Sequence, residues 1–105
     1  EALKICSDLA EKNSDAYLPY LARSCNNLAY LLSDIGSFKE AEELYREALK
    51  IRRNLAEENP KVYLPKLQLV CDNLTALLEK TGRREEADSL RREVAEFYQK
   101  QLAQQ

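Results

Sequence analysis

The chain repeats itself. Residues 1–19, EALKICSDLAEKNSDAYLP, lie without a gap over residues 47–65, EALKIRRNLAEENPKVYLP, and 12 of these 19 positions are identical. The offset of 46 carries on: residues 17–46 lie over 63–92 with 14 of 30 positions identical, among them Cys25/Cys71, Asn27/Asn73, Leu28/Leu74, Leu32/Leu78, Gly36/Gly82 and Ala41/Ala87. Self-similarity at a fixed period of roughly 20–50 residues marks an array in which each unit buries its apolar face against the next. Residue 1 falls inside a unit, so the chain reads as an excerpt from a longer array.

The unit is helical. Leu18, Leu21, Cys25, Leu28, Leu32 and Ile35 follow steps of three and four, with Ala22, Ala29 and Leu31 widening the stripe. Gly36 ends that helix as a C′ residue does. Phe38, Ala41, Leu44, Tyr45, Ala48, Leu49, Ile51 and Leu55 repeat the spacing over 38–56. Ser37 stands at the N-cap of this second helix, and Glu40 three residues on completes a capping-box pattern. Asn59–Pro60 punctuates the junction. A proline well inside a helix removes a hydrogen bond, so Pro19 and Pro65 predict helices that start near Tyr17 and Tyr63. The second unit then runs as a helix over about 63–81, a Gly82 turn and a helix over about 84–103, with residues 1–12 as the tail of a preceding second helix. Ala41, Ala48 and Ala87 fall where the helices of a hairpin approach closely.

Few Gly and Pro residues, and abundant Ala, Leu, Glu, Lys and Arg, favour helix throughout. The formal net charge is −2, which argues against a nucleic-acid module. No apolar run approaches the roughly 18 residues of a membrane span. The three cysteines, Cys6, Cys25 and Cys71, read as reduced thiols acting as small apolar side chains. Catalysis finds little footing, since there is no His and no Gly-rich phosphate loop. The carboxylate pairs read as solvated helix faces with i,i+4 partners: Glu42–Arg46, Asp88–Arg92 and Glu96–Lys100. No metal site and no cofactor are implied.

Leu28–Ala29, Leu32, Gly36, Phe38, Ala41, Tyr45 and Ala48, in that order, resemble the tetratricopeptide repeat, and Leu74, Leu78, Gly82 and Ala87 repeat the match. The period of 46 exceeds the usual 34 of that family. It resembles the long repeats of kinesin light chains, through NNLA and EAEELYREAL, and those of bacterial, particularly Bacteroidetes, proteins with NP-x-x-YLP junctions. The resemblance implies an all-α, antiparallel helical-hairpin solenoid with a right-handed superhelical twist. It implies one domain: 1–16 as the end of a partial unit, 17–62 as a repeat and 63–105 as a C-terminal repeat. Arg84 and Arg91 stand where the first unit has Phe38 and Tyr45, which fits the polar outer face of a capping unit. The N-terminal end has no such cap, so self-association through it is expected.

The same resemblance directs function to the concave face lined by the first helix of each hairpin. There Asn27 and Asn73 match asparagines that hydrogen-bond a bound peptide's backbone, for which an amide offers donor and acceptor together. Arg23 matches a position that often holds a ligand carboxylate, although its counterpart is Leu69. Asn26 and Tyr30 complete the groove candidates. The expected function is a cytoplasmic, non-enzymatic scaffold that binds a protein or peptide partner, with no nucleic acid and no membrane involved. The competing reading is a structural spacer or self-association segment, in which the asparagines order the stacking of helices.

Overall fold

Two glycines divide the chain into hairpins. In a computed structural model, which describes residues 14–104, Gly36 and Gly82 adopt φ of +87° and +80°. This left-handed conformation is open to glycine at little cost. Four helices surround the two turns and the proline junction between them: α1 (Ser14–Asp34), α2 (Phe38–Glu58), α3 (Pro60–Lys80) and α4 (Arg84–Ala103). Both glycine turns are Schellman motifs. The Ser37 N–H donates to the Leu32 carbonyl at 2.8 Å and the Gly36 N–H to the Ser33 carbonyl at 3.1 Å. Arg83 and Gly82 make the equivalent bonds to Leu78 and Glu79, at 2.7 and 3.1 Å. The expected capping box does not form. Ser37 makes no side-chain capping bond, and its N–H, which Glu40 would have to reach, is already committed to Leu32.

The first helix of each hairpin begins earlier than the prolines suggest. Both α1 and α3 contain the proline of their Tyr-Leu-Pro stretch, Pro19 and Pro65, inside the helix. Pro60 occupies the first position of α3, where a missing N–H costs nothing. Pro65 lies one turn further on and deprives only the Lys61 carbonyl of its donor. Lys61 is exposed, so water can serve that carbonyl. The expectation for residues 1–12 lies outside the described residues.

Each helix packs on its neighbour in the chain, and α1 also touches α3 across the array. Ala22, Ala29, Ala41, Ala48, Ala56 and Ala87 are wholly buried, which lets the helices come close. Leu44, Tyr45, Leu64, Leu67, Leu74 and Leu78 fill the space between them. The two copies diverge where they meet different neighbours. Leu77 is 4% exposed, but its counterpart Leu31 is 61% exposed. The side of α3 carrying Leu77 is covered by the preceding hairpin, whereas no described helix precedes α1. Ile35 lies past the helix end at the turn and is exposed, as is its counterpart Thr81, so neither Leu31 nor Ile35 belongs to the core that the stripe predicted. Arg91, at the Tyr45 position, turns outward to pair with Glu79 and Asp88, each at 3.0 Å.

Glu42 is the main polar tie between the hairpins. It takes Arg46 four residues on at 2.9 Å, as expected, and also Arg83 at the far turn. The Arg83 hydrogen bond is the chief reason that the Glu42 carboxyl is held below its ordinary range. Asp88 takes Arg91 in place of Arg92, and Glu96 and Lys100 make no ion pair among the described residues. No helix among the described residues is long and apolar enough to cross a membrane.

Ala41 has no room to grow. Ala41→Leu should lower unfolding stability by about 1–3 kcal/mol, read as a fall in the urea midpoint without change of slope.

Burial also sets an alkaline limit. It raises the Cys71 thiol to about 11 and, reinforced by Tyr30 and Asp34, the Tyr45 phenol to about 12. In the unfolded chain these groups ionise near about 8.5 and 10. The folded state thus holds its protons to higher pH, and its advantage is complete below about pH 8.5. That advantage disappears as pH rises through about 11 and 12. The urea midpoint should fall steadily above pH 9, and Cys71→Ala should flatten the first part of that fall.

Candidate functional site

The offset of 46 places α1 and α3 as equivalent first helices of successive hairpins, side by side. Two clefts open along this pair. The first, of about 370 Å³, is lined by Asn26, Asn27, Tyr30 and Leu31 of α1 and Asn73 of α3. The second, of about 320 Å³, is lined by Tyr20 and Arg23 of α1, Arg52 of α2, and Tyr63 and Lys66 of α3, among others. Tyr20 to Leu31 spans eleven helical steps, or roughly 16 Å at about 1.5 Å per residue. A run of about five extended residues would cover that length.

Four of the five residues expected in the groove thus share one cleft, and Arg23 stands one turn away in the other. Their environments differ. Asn27 and Tyr30 are exposed, Asn26 is buried and Asn73 is half-buried. The Asn73 Nδ2 donates to the Asn26 Oδ1 at 3.1 Å, joining α3 to α1. The equivalence of Asn27 and Asn73 is therefore broken. Asn73 meets the hairpin before it, while the Asn27 amide faces open space. With Nδ2 partly engaged, Asn73 keeps its Oδ1 for another partner. Tyr30, 56% exposed, offers an aromatic wall beside Leu31. Leu69, in the place corresponding to Arg23, is also exposed.

Arg52 is absent from the sequence-based site. Its side chain is only 4% exposed, on the core side of α2. Its Nη1 donates to the Lys66 carbonyl at 3.0 Å. Burial, and secondarily the charge of Arg23, lower its pKa. A signal was present: Arg52 lies four residues after Ala48 and three before Leu55, on the apolar stripe itself. A cation in that register must be buried or break the stripe.

Among the described residues no group of His, Cys, Asp and Glu is arranged to hold a metal ion. Cys25 and Cys71 are buried in the helix packing. Among the described residues, neither cleft places a carboxylate, thiol or serine in its lining.

Residues 21–60, which span most of α1, the Gly36 turn and all of α2, match the model of the tetratricopeptide repeat family. The second hairpin repeats the same architecture, so the described residues form an all-α helical repeat whose first hairpin is similar to the tetratricopeptide repeat. Repeats of this family generally mediate protein–protein interaction, typically as non-enzymatic scaffolds. No curated protein and no solved structure matches the chain significantly.

The Asn26–Asn73 bond should show as coupling between the two positions. A double-mutant cycle with Asn26→Ala and Asn73→Ala, followed by urea unfolding, should give a coupling energy of about 0.5–1.5 kcal/mol. Asn27→Ala should leave stability within about 0.5 kcal/mol of the parent, as expected for an exposed side chain.

Proposed function

We propose that the chain is a recognition scaffold that lays an extended segment of a protein partner along the groove between α1 and α3. The observation that carries this reading is the convergence of Asn26, Asn27, Tyr30 and Asn73 on one open cleft. The free Asn27 amide can pair with both the N–H and the C=O of an extended backbone. Tyr30 and Leu31 supply apolar contact for its side chains. Arg23, a turn away, extends the contact surface.

One observation favours a second reading. Asn73 already binds Asn26, which suits a structural segment whose polar residues set the stacking of hairpins. In that reading the chain is a spacer, or associates through the open Tyr17, Leu31 and Ile35 side of α1. We further read 17–62 as one full repeat and 63–105 as a second, with Arg91 on its polar outer side. The period of 46 supports the long-repeat variant resembling kinesin light chains and Bacteroidetes-type proteins. Reading the cysteines as thiols supports a cytoplasmic setting.

The test is a fluorescence titration of a diverse library of labelled peptides against the parent and an Asn27→Ala/Tyr30→Ala variant, with folding checked by circular dichroism. Peptides selected on the parent should bind the folded variant at least about tenfold more weakly, a difference of about 1.4 kcal/mol. Equal binding by the variant would remove the groove reading. No binding, together with a dimer in light scattering, would favour the spacer reading.

A further inference from the structure

A third cleft opens between α2 and α4, the second helices of the two hairpins. It measures about 300 Å³ and shares no lining residue with the two clefts along α1 and α3. Gln101 is its telling member. The residue is only 7% exposed, yet its side-chain amide makes no hydrogen bond among the described residues. No fully buried side-chain nitrogen or oxygen among them lacks a partner, so the Gln101 amide opens onto the cleft that it lines. Drawing an amide this far out of water without a hydrogen bond is costly. Packing does not ask for it either. The offset of 46 places Leu55 at the same position of the other copy, equally buried.

The charge around this amide is uneven. Glu57 of α2 and Glu93 and Glu96 of α4 line the cleft, and all three are exposed. None of them makes an ion pair among the described residues. Two cations share the described lining, Arg53 and Lys100. Arg53 is engaged by an aromatic ring, its guanidinium lying 4.9 Å from the Phe97 centroid. Lys100 stands four residues after Glu96, at the spacing of a helical ion pair, and does not close on it. The cleft thus sets three uncommitted carboxylates and an unpartnered amide against one uncommitted ammonium. Glu96 is also individual to this unit, since the other copy has Lys50 at its position.

We propose that this cleft receives an arginine side chain of a protein partner, with the Gln101 amide oxygen accepting from the guanidinium at the floor and Glu57, Glu93 and Glu96 holding it at the rim. Charge complementarity selects a cation, and the number of acceptors selects arginine. A guanidinium carries five N–H donors in a planar fork, which several oxygens around one cleft can share, whereas an ammonium is a compact point charge. The surface is separate from the groove between α1 and α3, so the inference stands independently of the groove reading.

The test titrates the full chain, labelled with ¹⁵N, with an acetylated, amidated hexaarginine peptide. Binding is followed by calorimetry and by the Gln101 side-chain amide resonances. The expected result is a saturable shift of those resonances, with affinity falling as salt rises. Hexalysine of the same form should bind at least about threefold more weakly. Gln101→Leu installs the residue of the other copy. It should keep a urea midpoint at or above that of the parent and lose about three- to tenfold in affinity for hexaarginine. The triple variant Glu57→Gln/Glu93→Gln/Glu96→Gln should lose at least about tenfold. Glu40→Gln/Glu43→Gln/Glu58→Gln removes the same charge from exposed positions outside the cleft and should lose less than about threefold. The Asn27→Ala/Tyr30→Ala variant should bind hexaarginine as the parent does.

Unmoved Gln101 resonances would overturn the inference, and so would equal losses from the two triple variants, which would mark diffuse attraction to an acidic surface. Equal binding of hexalysine would overturn arginine as the occupant. A shift of the Gln101 resonances by spermine and not by hexaarginine would replace the protein segment with a free polyamine. A shift that grows with protein concentration in the absence of peptide would replace it with a second copy of the chain.

Discussion

The fold depends on each hairpin being covered by the one before it. No helix here has a self-sufficient apolar face. The second hairpin shows what coverage does: Val70, Leu74 and Leu77 of α3 are buried against the preceding unit. On α1 the corresponding positions are Ser24, Leu28 and Leu31, and they close only partly or not at all. The difference is one of neighbours, since the spacing of apolar residues is nearly the same in both helices. Stability in such an array is distributed over interfaces between units. The wholly buried alanines set how close those interfaces come, and the Glu42–Arg83 tie fixes one hairpin's helix to the next hairpin's turn.

This dependence explains what could be read from the sequence. Helix type, the two glycine turns and the close-packed alanines follow from local pattern, because a Schellman turn and an apolar stripe are short-range features. Helix starts were harder. Pro19 and Pro65 look like boundaries, but a proline within the first two turns leaves few helical bonds to lose, and Pro60 had already begun α3. The Ser37 capping box failed for a related reason. The Schellman turn before it claimed the N–H that the box requires. Periodicity places Leu31 and Ile35 on the apolar stripe, but it reports a face and not what lies against it, and both are exposed.

The groove was legible only in part. Asn26, Asn27, Tyr30 and Asn73 come to one cleft because the repeat offset sets α1 beside α3 in register. What the offset hides is inequivalence. Identical residues in two copies meet different neighbours, so Asn73 is drawn into a bond with Asn26 while Asn27 is left open. Arg52 does not stand out in the sequence, because a charged residue in a helix rich in charge is ordinary. Its register, between Ala48 and Leu55, was the informative property.

Identity and difference between the copies carry separate information. Positions held in both units, such as Leu28/Leu74, Gly36/Gly82 and Ala41/Ala87, are those the backbone and packing demand. Positions that differ include many on solvated surface, where packing makes no demand. Buried positions also differ, such as Ala48/Val94 and Ile51/Phe97, and among them Arg52 is the one that places a cation in the α2 stripe. Packing alone would favour an apolar side chain there, as the rest of the α2 stripe shows. Its Nη1 donates to the Lys66 carbonyl, so a hydrogen bond joins α2 to α3 where the rest of the stripe makes apolar contact.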